Sequence, residues 1–457
     1  MDQLTYQSRR TSAPVARPIE RIAGGRFVLR LLFWCGLALA VLPWWLGTKP
    51  GSLNSTGATL SAAGRLTGLT TGYVLLVQVV MMSRLRVLER WIGARHLTRW
   101  HKELGGFLLI AILSHAALIT VGYADLAHAP VLTTFGSIFS TYPDMAPAII
   151  ATGMLVCIGL MSVRILRTAI PYEAWYFLHL STYLVLLLTY AHQFSNGTEL
   201  YQGLGRYVWI AFYVLAIVLV AWGRLAAPLW LNQRHRLRVA DVVAEAPDMV
   251  SVYITGRRLI DLDAKAGQFF RWRFLARGLW WQAHPFSLSA APNGRWLRVT
   301  VKAVGTHTYQ LKHLRPGVPI FVEGPWGDFT AARRVRPRSL LIAAGSGIAP
   351  IRAVLEELPA GAVVIYRATT VRELALRDEL ENLADRRHAQ LWFVVGDRRA
   401  PGPRRLFTPR GMIELVPDIA QRDVYLCGPE GLVATSLKIL RRLQVPRRQI
   451  HLDPFEL

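Results

Sequence analysis

Six long apolar stretches occupy the first half of the chain, and no stretch of comparable length follows them. They lie roughly at residues 27–46, 57–82, 103–122, 146–163, 174–191 and 206–223. Each is close to the about 20 residues that a helix needs to cross a bilayer. The first is too long for the apolar part of a signal peptide and lacks a cleavage pattern after it. The pattern predicts a six-helix membrane domain over residues 27–225, preceded by a basic tail over residues 1–26.

The second half has the patterns of two folded domains. From Arg236 onward, short runs of alternating apolar and polar residues are bounded by Gly, Pro and Asp, which predicts an antiparallel β-barrel over residues 234–330. From Leu340 onward, buried apolar strands alternate with amphipathic helices, which predicts an α/β doubly wound domain with a parallel sheet over residues 336–457. The predicted fold class is therefore an all-α membrane bundle followed by a barrel and an α/β domain.

The distribution of charge predicts the orientation of the spans. The chain has 53 Lys and Arg against 29 Asp and Glu, a net charge of +24, yet 52% of its residues are hydrophobic and its mean hydropathy is +0.29. Cations concentrate in the tail, between the second and third stretches, and after the fourth. The alternate loops, 47–56, 123–145 and 193–205, hold one cation, Lys49. The positive-inside rule then places both termini and everything after Arg224 in the cytoplasm, with the spans in the plasma membrane.

This placement explains much of the positive charge without a nucleic-acid partner, because basic inner loops face the anionic leaflet.

The chain has three cysteines, Cys35, Cys157 and Cys427. They are too few and too scattered for a disulfide framework, an iron–sulfur cluster or a zinc site. An electron carrier in this chain would need other ligands.

Four histidines in the apolar stretches are such candidate ligands: His101 and His115 in the third, His179 and His192 in the fifth. Histidine within a membrane helix is costly and usually functional. A separation of fourteen residues brings His115 to within about 40° of His101 around the helix. Thirteen residues place His192 about 140° from His179, so helix tilt or a local widening of the helix has to make up the difference.

Both of these stretches run outward, so depth pairs His101 with His179 on the cytoplasmic side and His115 with His192 further out. Two bis-histidine sites fit two b-type haems, in which imidazoles bind both axial faces of the iron. A single such histidine is as easily a core-packing residue, but two matched pairs favour haem, and copper would lack thiolate or carboxylate partners. Arg65, at the outer start of the second stretch, either snorkels to the headgroups or faces the outer haem or its acceptor.

Two turns of the α/β region are candidate nucleotide sites. The first strand ends in Gly345, Ser346 and Gly347, with Pro350 in place of the usual third glycine, and the last strand ends in Cys427, Gly428 and Pro429. Glycines at a strand-to-helix turn let the backbone approach a pyrophosphate, and such turns share the crevice at the carboxyl ends of the strands. Arg367 follows the second strand, with Arg372 nearby and no acidic residue, which favours NADPH, although NADH remains open.

The barrel region contains two further candidate motifs. The run HPFSLS supplies an aromatic ring to lie against a flavin and hydroxyls for its edge: His284, Pro285, Phe286, Ser287, Leu288 and Ser289. The run GTHT opens a predicted short helix and is a candidate phosphate cradle: Gly305, Thr306, His307 and Thr308. Taken alone, HPFSLS would equally be an ordinary strand.

With these motifs, residues 27–457 resemble the ferric reductase and NADPH oxidase superfamily, and most closely its bacterial members. The resemblance implies a two-haem membrane domain fused to a ferredoxin-reductase-like unit that binds FAD and NAD(P)H. It implies that Ser287 lies near the flavin ring, Thr308 at the pyrophosphate and Cys427 near the nicotinamide. The family commonly ends in an aromatic residue that covers the flavin, a role that falls to Phe455 in a chain ending Phe-Glu-Leu.

The implied activity is electron transfer from cytoplasmic NAD(P)H through FAD, the His101/His179 haem and the His115/His192 haem to an acceptor on the outer face. Oxygen, giving superoxide, and a ferric chelate are the expected acceptors. Cys427, Phe455 and Arg65 are the expected catalytic residues. Reduction of quinone or of a soluble partner, and a non-catalytic haem-binding membrane sensor, stay open as alternatives, as does the oligomeric state.

Overall fold

The computed structural model describes residues 24–163, 166, 169–201, 203–397 and 399–453. The chain forms two compact units that divide between Ala227 and Pro228. The first unit is helical, and the second contains all of the β-strands found in the described part of the chain.

The described helices of the first unit coincide with the apolar stretches, with two additions. They are α1 (Gly25–Gly47), α2 (Thr56–Met81), α3 (Arg86–Ile92), α4 (Ala94–Ala127), α5 (Val131–Thr141), α6 (Met145–Met161), α7 (Tyr172–Leu180), α8 (Thr182–Asn196) and α9 (Gly203–Ala221). The prediction of a loop over 123–145 was wrong, because the apolar run VLTTFGSIF within it forms α5. A π-helical turn, Trp222–Ala226, follows α9 and leads into α10 (Ala227–His235).

Length and composition allow four of the described helices to cross a membrane singly. The count rises to six if two bent pairs each form one span: α2 with α3, bent by 95°, and α5 with α6, bent by 116°. A helical membrane region is therefore confirmed, whereas the number of six spans stays a prediction.

Small residues bring α2 and α4 into direct backbone contact. A Cβ atom added to Gly57 would lie 2.7 Å from Gly122 O, and one added to Gly64 would lie 2.8 Å from Ile119 Cδ1. On the α4 side, a Cβ on Gly122 would lie 2.5 Å from Ser61 Oγ. Because small residues let membrane helices approach closely, this stripe fixes the register of the two helices.

The second unit begins with six strands arranged in two antiparallel three-stranded sheets. The strands are β1 (Arg238–Ala246), β2 (Met249–Thr255), β3 (Phe269–Phe274), β4 (His284–Ser287), β5 (Leu297–Lys302) and β6 (Ile320–Trp326). Their sheet orders are β1-β2-β5 and β4-β3-β6, with bridges Arg238–Pro319 and Leu288–Val299 between them. Alternate side chains of β3, including Phe270, Trp272 and Phe274, are buried, as the period-two pattern predicts. We call β1–β6 the six-stranded region.

The remaining strands form one parallel sheet. They are β7 (Arg338–Ala344), β8 (Val363–Ala368), β9 (Gln390–Val395), β10 (Arg422–Cys427) and β11 (Ile450–Asp453), in the order β11-β10-β7-β8-β9. The described helices of this unit are α11 (Thr306–Gln310), α12 (Ile348–Glu357), α13 (Arg377–Arg386), α14 (Pro401–Leu406), α15 (Pro409–Leu415) and α16 (Glu430–Arg442). Apolar clusters on both faces of the sheet bury β10 and all of β7 after Arg338, which explains the apolar runs within these strands.

Candidate functional site

His115 is held against α2 where the glycine stripe continues. A Cβ on Gly68 would lie 2.7 Å from His115 Cε1, so only glycine leaves room for the imidazole. His115 Nδ1 lies 2.7 Å from Gly64 O. A proton on Nδ1 donates to this carbonyl and leaves Nε2 with its lone pair exposed for a metal, the usual arrangement for a histidine ligand.

His101 and His179 face one another across the bundle. Their ring centroids are 5.8 Å apart and their planes are inclined by 74°. Trp175 stacks on His179 at 5.0 Å, and Gln78 Nε2 donates to His101 O over 3.0 Å. Nδ1 of both histidines is buried without a hydrogen-bond partner, which is unusual for a polar atom that serves only packing.

The helix of the fifth apolar stretch is interrupted between His179 and His192. α7 ends at Leu180 and α8 begins at Thr182, with Ser181 between them. Ser181 Oγ donates to Leu178 O over 2.6 Å, and Thr182 Oγ1 donates to His179 O over 2.8 Å. Such bonds from hydroxyls back to the preceding turn bend helices. The interruption lies between His179 and His192, where the sequence predicts helix tilt or a local widening.

The second pair lies further along the same helices. His192 and His115 are close enough to interact electrostatically. The Asn196 amide nitrogen donates to Pro143 O over 2.7 Å and lies 3.1 Å from His192 Nδ1, so a side chain of the same helix restrains the ring.

These residues fit bis-histidine haem ligation. Imidazole nitrogens bind metals such as zinc at about 2 Å, so two rings on opposite faces of one iron have centroids about 6 Å apart, close to the separation seen for His101 and His179. The described residues contain no group of three or more His, Cys, Asp or Glu arranged for a metal ion. A haem needs only two protein ligands, since its porphyrin supplies the other four.

Arg65 forms an ion pair that the sequence did not predict. Its Nε donates to Glu199 Oε1 over 2.8 Å, and the Glu199 carboxylate is almost fully buried. Tyr123 lies within electrostatic range of both residues and is hydrogen-bonded to Tyr142. Arg65 is therefore neither a lone cation nor a simple snorkelling residue.

In the parallel sheet, the two predicted nucleotide turns adjoin. A Cβ on Gly347 would lie 2.2 Å from Cys427 O, so the turn after β7 and the turn after β10 are in backbone contact. Gly345 has φ of +54°, a left-handed conformation that glycine adopts without strain. The turn opens α12, whose N-terminal amides favour an anion. This cradle fits the pyrophosphate of a nicotinamide nucleotide.

The strand ending at Cys427, predicted to be the last, is followed by one further strand, β11, whose end joins this crevice to HPFSLS. Ser287 Oγ donates to Asp453 Oδ2 over 2.8 Å, and Cys427 Sγ donates to Asp453 O over 3.3 Å. Burial raises the pKa of the Cys427 thiol, so it remains uncharged. Sequence reasoning missed Asp453, although its place at the carboxyl end of a strand in a doubly wound sheet was a usable signal. Phe455 lies outside the described residues.

The motif HPFSLS is divided between two environments. Half-buried Phe286 is roughly parallel to His284, with centroids 6.1 Å apart, and its carbonyl accepts from Trp272 Nε1 over 2.9 Å. Ser289, in contrast, is fully buried, and its hydroxyl accepts from Arg298 Nε over 3.0 Å and from Thr300 Oγ1 over 2.8 Å. These contacts give Ser289 a structural role and do not favour the predicted flavin contact. Pro285 and Leu288 contribute as strand residues.

The GTHT turn lines a cavity of about 530 Å³. Thr308 Oγ1 accepts from the amides of Val304 and Gly305, which caps α11. His307 packs against His284 with centroids 4.1 Å apart. Burial and the neighbouring His284 lower the pKa of His307 to about 4. The space beside Gly305, where a Cβ would meet no atom within 4 Å, suits a flavin phosphate.

A buried ion network ties the six-stranded region to the parallel-sheet domain. Arg298 on β5 binds both oxygens of Glu379 on α13, over 2.7 and 3.2 Å, and Arg352 on α12 binds the same carboxylate. Arg352 also pairs with Glu356, whose carboxylate accepts from Ala291 N over 2.8 Å. The network begins at Ser289, two residues beyond the predicted flavin contact of Ser287.

Arg367 makes backbone contacts that the sequence did not predict. Its guanidinium donates to the carbonyls of Ala368, Val394 and Gly396 at the ends of β8 and β9. Burial lowers its pKa. Arg372, the second predicted cation, is exposed. A 2′-phosphate bound to Arg367, as the sequence predicts, would compete with these carbonyls for the guanidinium.

Comparisons with known proteins match three consecutive parts of the chain. Residues 67–190 match the model of a ferric reductase like transmembrane component. Residues 234–329 match an FAD-binding domain, and residues 341–438 match an oxidoreductase NAD-binding domain.

Relatives share the sequence at moderate identity. The chain is 30% identical to an NADPH oxidoreductase of Mycobacterium tuberculosis, over 50% of this chain and 62% of the relative. It is 28% identical to a flavohemoprotein of Vibrio cholerae, over 47% and 58%, and 30% identical to ferredoxin–NADP reductase B of Sorangium cellulosum, over 37% and 77%. The chain thus spans about three-fifths of the first two relatives.

Among solved structures, the FAD/NAD-binding domain of nitric oxide dioxygenase from Vibrio cholerae is 25% identical, with a TM-score of 0.40, covering 48% of this chain and 97% of that domain.

The family matches confirm the resemblance drawn from the motifs. The chain belongs to the ferric reductase and NADPH oxidase superfamily, with a ferric reductase-like transmembrane component and ferredoxin-reductase-type FAD- and NAD-binding domains in one polypeptide.

Proposed function

We propose that the protein passes electrons from cytoplasmic NAD(P)H through FAD and two b-type haems to an acceptor on the outer face of the plasma membrane. The observation that carries this proposal is the facing pair His101 and His179, 5.8 Å apart, in a chain that also contains FAD- and NAD-binding domains. Six spans with both termini in the cytoplasm agree with the positive loops and with the two bent helix pairs.

At the cytoplasmic site, the residues of the chain bind and orient. When bound, FAD accepts the two electrons of a hydride and delivers them singly, as haem iron requires. Phe286 and Ser287 would hold the flavin ring, and the turns at Gly345 and Gly428 would hold the dinucleotide. The neutral Cys427 thiol offers an uncharged surface to the nicotinamide. Asp453 is a positioning residue, because it accepts from both Ser287 and Cys427.

In the membrane unit, His101 and His179 would hold the inner haem, and His115 and His192 the outer one. The residues along α4 and α8 between these histidines are largely aliphatic. Leu108, Ile112 and Val185 pack into one buried cluster with Leu75 of α2. This dry spacer excludes water from the path between the two sites, which keeps protons and solutes out of the bilayer core.

The acceptor that best fits the outer end is oxygen or a ferric chelate. Because Arg65 is already paired with Glu199, we assign it the role of organising the approach to the His115/His192 site rather than that of a free anion receptor. NADPH as the donor is favoured by the names of two relatives, an NADPH oxidoreductase and a ferredoxin–NADP reductase.

Reduction of purified protein in detergent tests the proposal. On addition of NADPH and FAD under anaerobic conditions, we expect both haem bands to shift to the reduced form. His115→Leu should keep flavin and inner-haem reduction but lower ferric-chelate reduction, and superoxide-dismutase-sensitive cytochrome c reduction in air, by about 100-fold or more, because the outer site is lost.

His128→Asn is the matched control, since His128 is an exposed residue that caps α4 with φ of +48°, which asparagine tolerates. This variant should behave as the unmodified protein. Haem bands that stay oxidised in every variant would support a non-catalytic haem sensor. Normal acceptor reduction by His115→Leu would instead indicate a reductase that serves a cytoplasmic partner.

A further inference from the structure

One end of the six-stranded region, where α10 leads into β1, gathers several loops. Arg257 N donates to His235 O over 2.6 Å, which joins the loop after β2 to the end of α10. Arg238 bridges Pro319, and Leu275 N donates to Pro319 O over 2.9 Å, which adds the loop after β3. We call the surface formed by residues 234–238, 256–263, 275–282, 293–296 and 315–319 the α10 end.

The α10 end is strongly basic. Its segments contain eight arginines and two aspartates, a formal surplus of +6. One of the aspartates, Asp261, is paired with Arg234 over 2.8 Å. No acidic residue occurs in the sequence between Asp263 and Glu323. Arg257, Arg258 and Arg277 are exposed, so their charge faces outward.

The same surface carries large apolar side chains. Trp280 and Trp281, on a single turn between β3 and β4, are 61% and 50% exposed, and Ile260, after β2, is 81% exposed. Adjacent exposed tryptophans such as Trp280 and Trp281 commonly mark an interaction surface. Tryptophan beside arginine is the combination that proteins use at the boundary between water and lipid.

We propose that the α10 end is a docking surface for the anionic cytoplasmic leaflet of the membrane, with Trp280 and Trp281 inserted among the headgroups. A second copy of the chain is disfavoured as the occupant, because two such surfaces repel, whereas anionic lipid has the complementary charge. α10 is also the C-terminal part of the continuous helix Gly203–His235, whose first part is one of the apolar spans. The proposal rests on the cytoplasmic orientation given under Proposed function.

Docking would limit the motion of the flavin-binding region. A surface held on the leaflet by several charges and two aromatic anchors loses much of its freedom to tilt. The segment that carries the tryptophans, residues 275–282, leads directly into His284 and the HPFSLS strand. Membrane contact would therefore restrain the strand that is placed to hold the flavin.

Hydrogen–deuterium exchange of the full-length protein in nanodiscs tests this inference. We expect amides of residues 256–263 and 275–282 to exchange at least about tenfold more slowly in discs with 30% phosphatidylglycerol than in discs of phosphatidylcholine alone. In 1 M NaCl, where the Debye length is about 3 Å, much of the difference should disappear.

Two double variants should lose the protection in anionic discs: Trp280→Ser with Trp281→Ser, and Arg257→Glu with Arg258→Glu. The matched control, Arg441→Glu with Arg442→Glu, reverses the charge of two exposed arginines on α16. It should leave the protection from exchange in anionic discs unchanged. The comparison of lipids in the unmodified protein stands even if a variant misfolds.

Equal exchange in both lipids would overturn the proposal. So would protection that follows added FAD, which would make the tryptophans part of the flavin site, or protection that follows protein concentration, which would indicate a second copy. NADPH-driven reduction of the haem bands is recorded on the same samples. Failure of docking with intact haem reduction is thus distinguishable from failure of the proposed function.

Discussion

Asp453 joins the two halves of the proposed flavin–nicotinamide site through two contacts. Its carboxylate accepts from Ser287 of β4, and its carbonyl accepts from Cys427 of β10. Ser287 and Asp453 are 166 residues apart, so only the folded chain brings them together. At the same scale, the structure provides a partner for Arg65 in Glu199 and backbone partners for Arg367.

Replacement of Asp453 tests its positioning role. Asp453→Ala removes the acceptor for Ser287 Oγ and should slow reduction of bound FAD by NADPH by about 10- to 100-fold, the cost of a small misplacement of reacting groups. Stopped-flow absorbance of the flavin at saturating NADPH measures this rate. The dissociation constant for NADPH should change little, because the glycine turns remain intact.

Asp453→Asn is the control for this prediction. Its side-chain oxygen can still accept from Ser287, so most of the rate should return. An Asp453→Ala variant with an unchanged rate of flavin reduction would show that the contact has no part in positioning.

At the scale of elements, the α2–α4 pair and the break between α7 and α8 place the histidines. The α2 stripe Gly57, Ser61, Gly64 and Gly68 repeats with helical spacing on one face, against α4. The sequence predicted both helices and the pairing of His101 with His179. It did not predict the break at Ser181 or the presence of α5, because hydrophobic periodicity continues through both.

Gly68→Ala should selectively weaken the proposed outer haem site. The added Cβ would lie 2.7 Å from His115 Cε1, so the imidazole has to move away from its present position. We expect the haem content per flavin to fall from about two toward about one, measured by the pyridine haemochrome assay, with the spectrum of the inner haem retained.

Gly153→Ala in α6 is the matched control, since a Cβ there meets nothing within 4 Å. Alanine in a helix interior is ordinarily more stable than glycine by about 1 kcal/mol, so loss of haem in Gly68→Ala alone cannot be attributed to helix propensity. Two haems with unchanged spectra in Gly68→Ala would contradict the assignment of His115 as a ligand of the outer haem.

At the scale of the whole molecule, the distribution of charge has several separate uses. Basic loops favour a cytoplasmic orientation, the basic α10 end suits anionic lipid, and buried arginines link the flavin region to the nicotinamide domain. The last use is the network of Arg298, Arg352 and Glu379, in which Arg298 is 2% exposed and Glu379 is 30% exposed. It fixes how the two domains of one compact unit meet.

Glu379→Leu should lower stability and flavin reduction together. Removing one partner of a fully buried pair costs about 3–5 kcal/mol, and we expect about 2 kcal/mol here because Glu379 is partly exposed. The midpoint of thermal release of flavin fluorescence measures the stability, and stopped-flow reduction by NADPH measures the alignment of the domains.

Arg377→Ala, on the same helix, is the control, since its pair with Glu381 is exposed and worth at most about 0.5 kcal/mol. If Glu379→Leu matched this control in both measurements, the network would have no role in domain alignment.

The sequence by itself determined the features that depend on near neighbours along the chain. Apolar length predicted membrane helices, alternation predicted short strands, and glycine turns after apolar strands predicted a nucleotide crevice. These features can be predicted from the sequence because a segment that spans a bilayer or approaches a phosphate needs a particular local composition. They also sufficed to predict the superfamily.

Only the tertiary structure decided which side chains are available at those features. Ser289 belongs to the predicted flavin motif, yet it is buried beneath Arg298. Arg367 was predicted to follow the second strand of the sheet, yet it lies within β8 and donates to carbonyls at the ends of β8 and β9. Asp453 has no motif at all and still meets both Ser287 and Cys427. A side chain's partners depend on packing between segments far apart in sequence, and a buried polar group takes whichever partner the fold brings within reach.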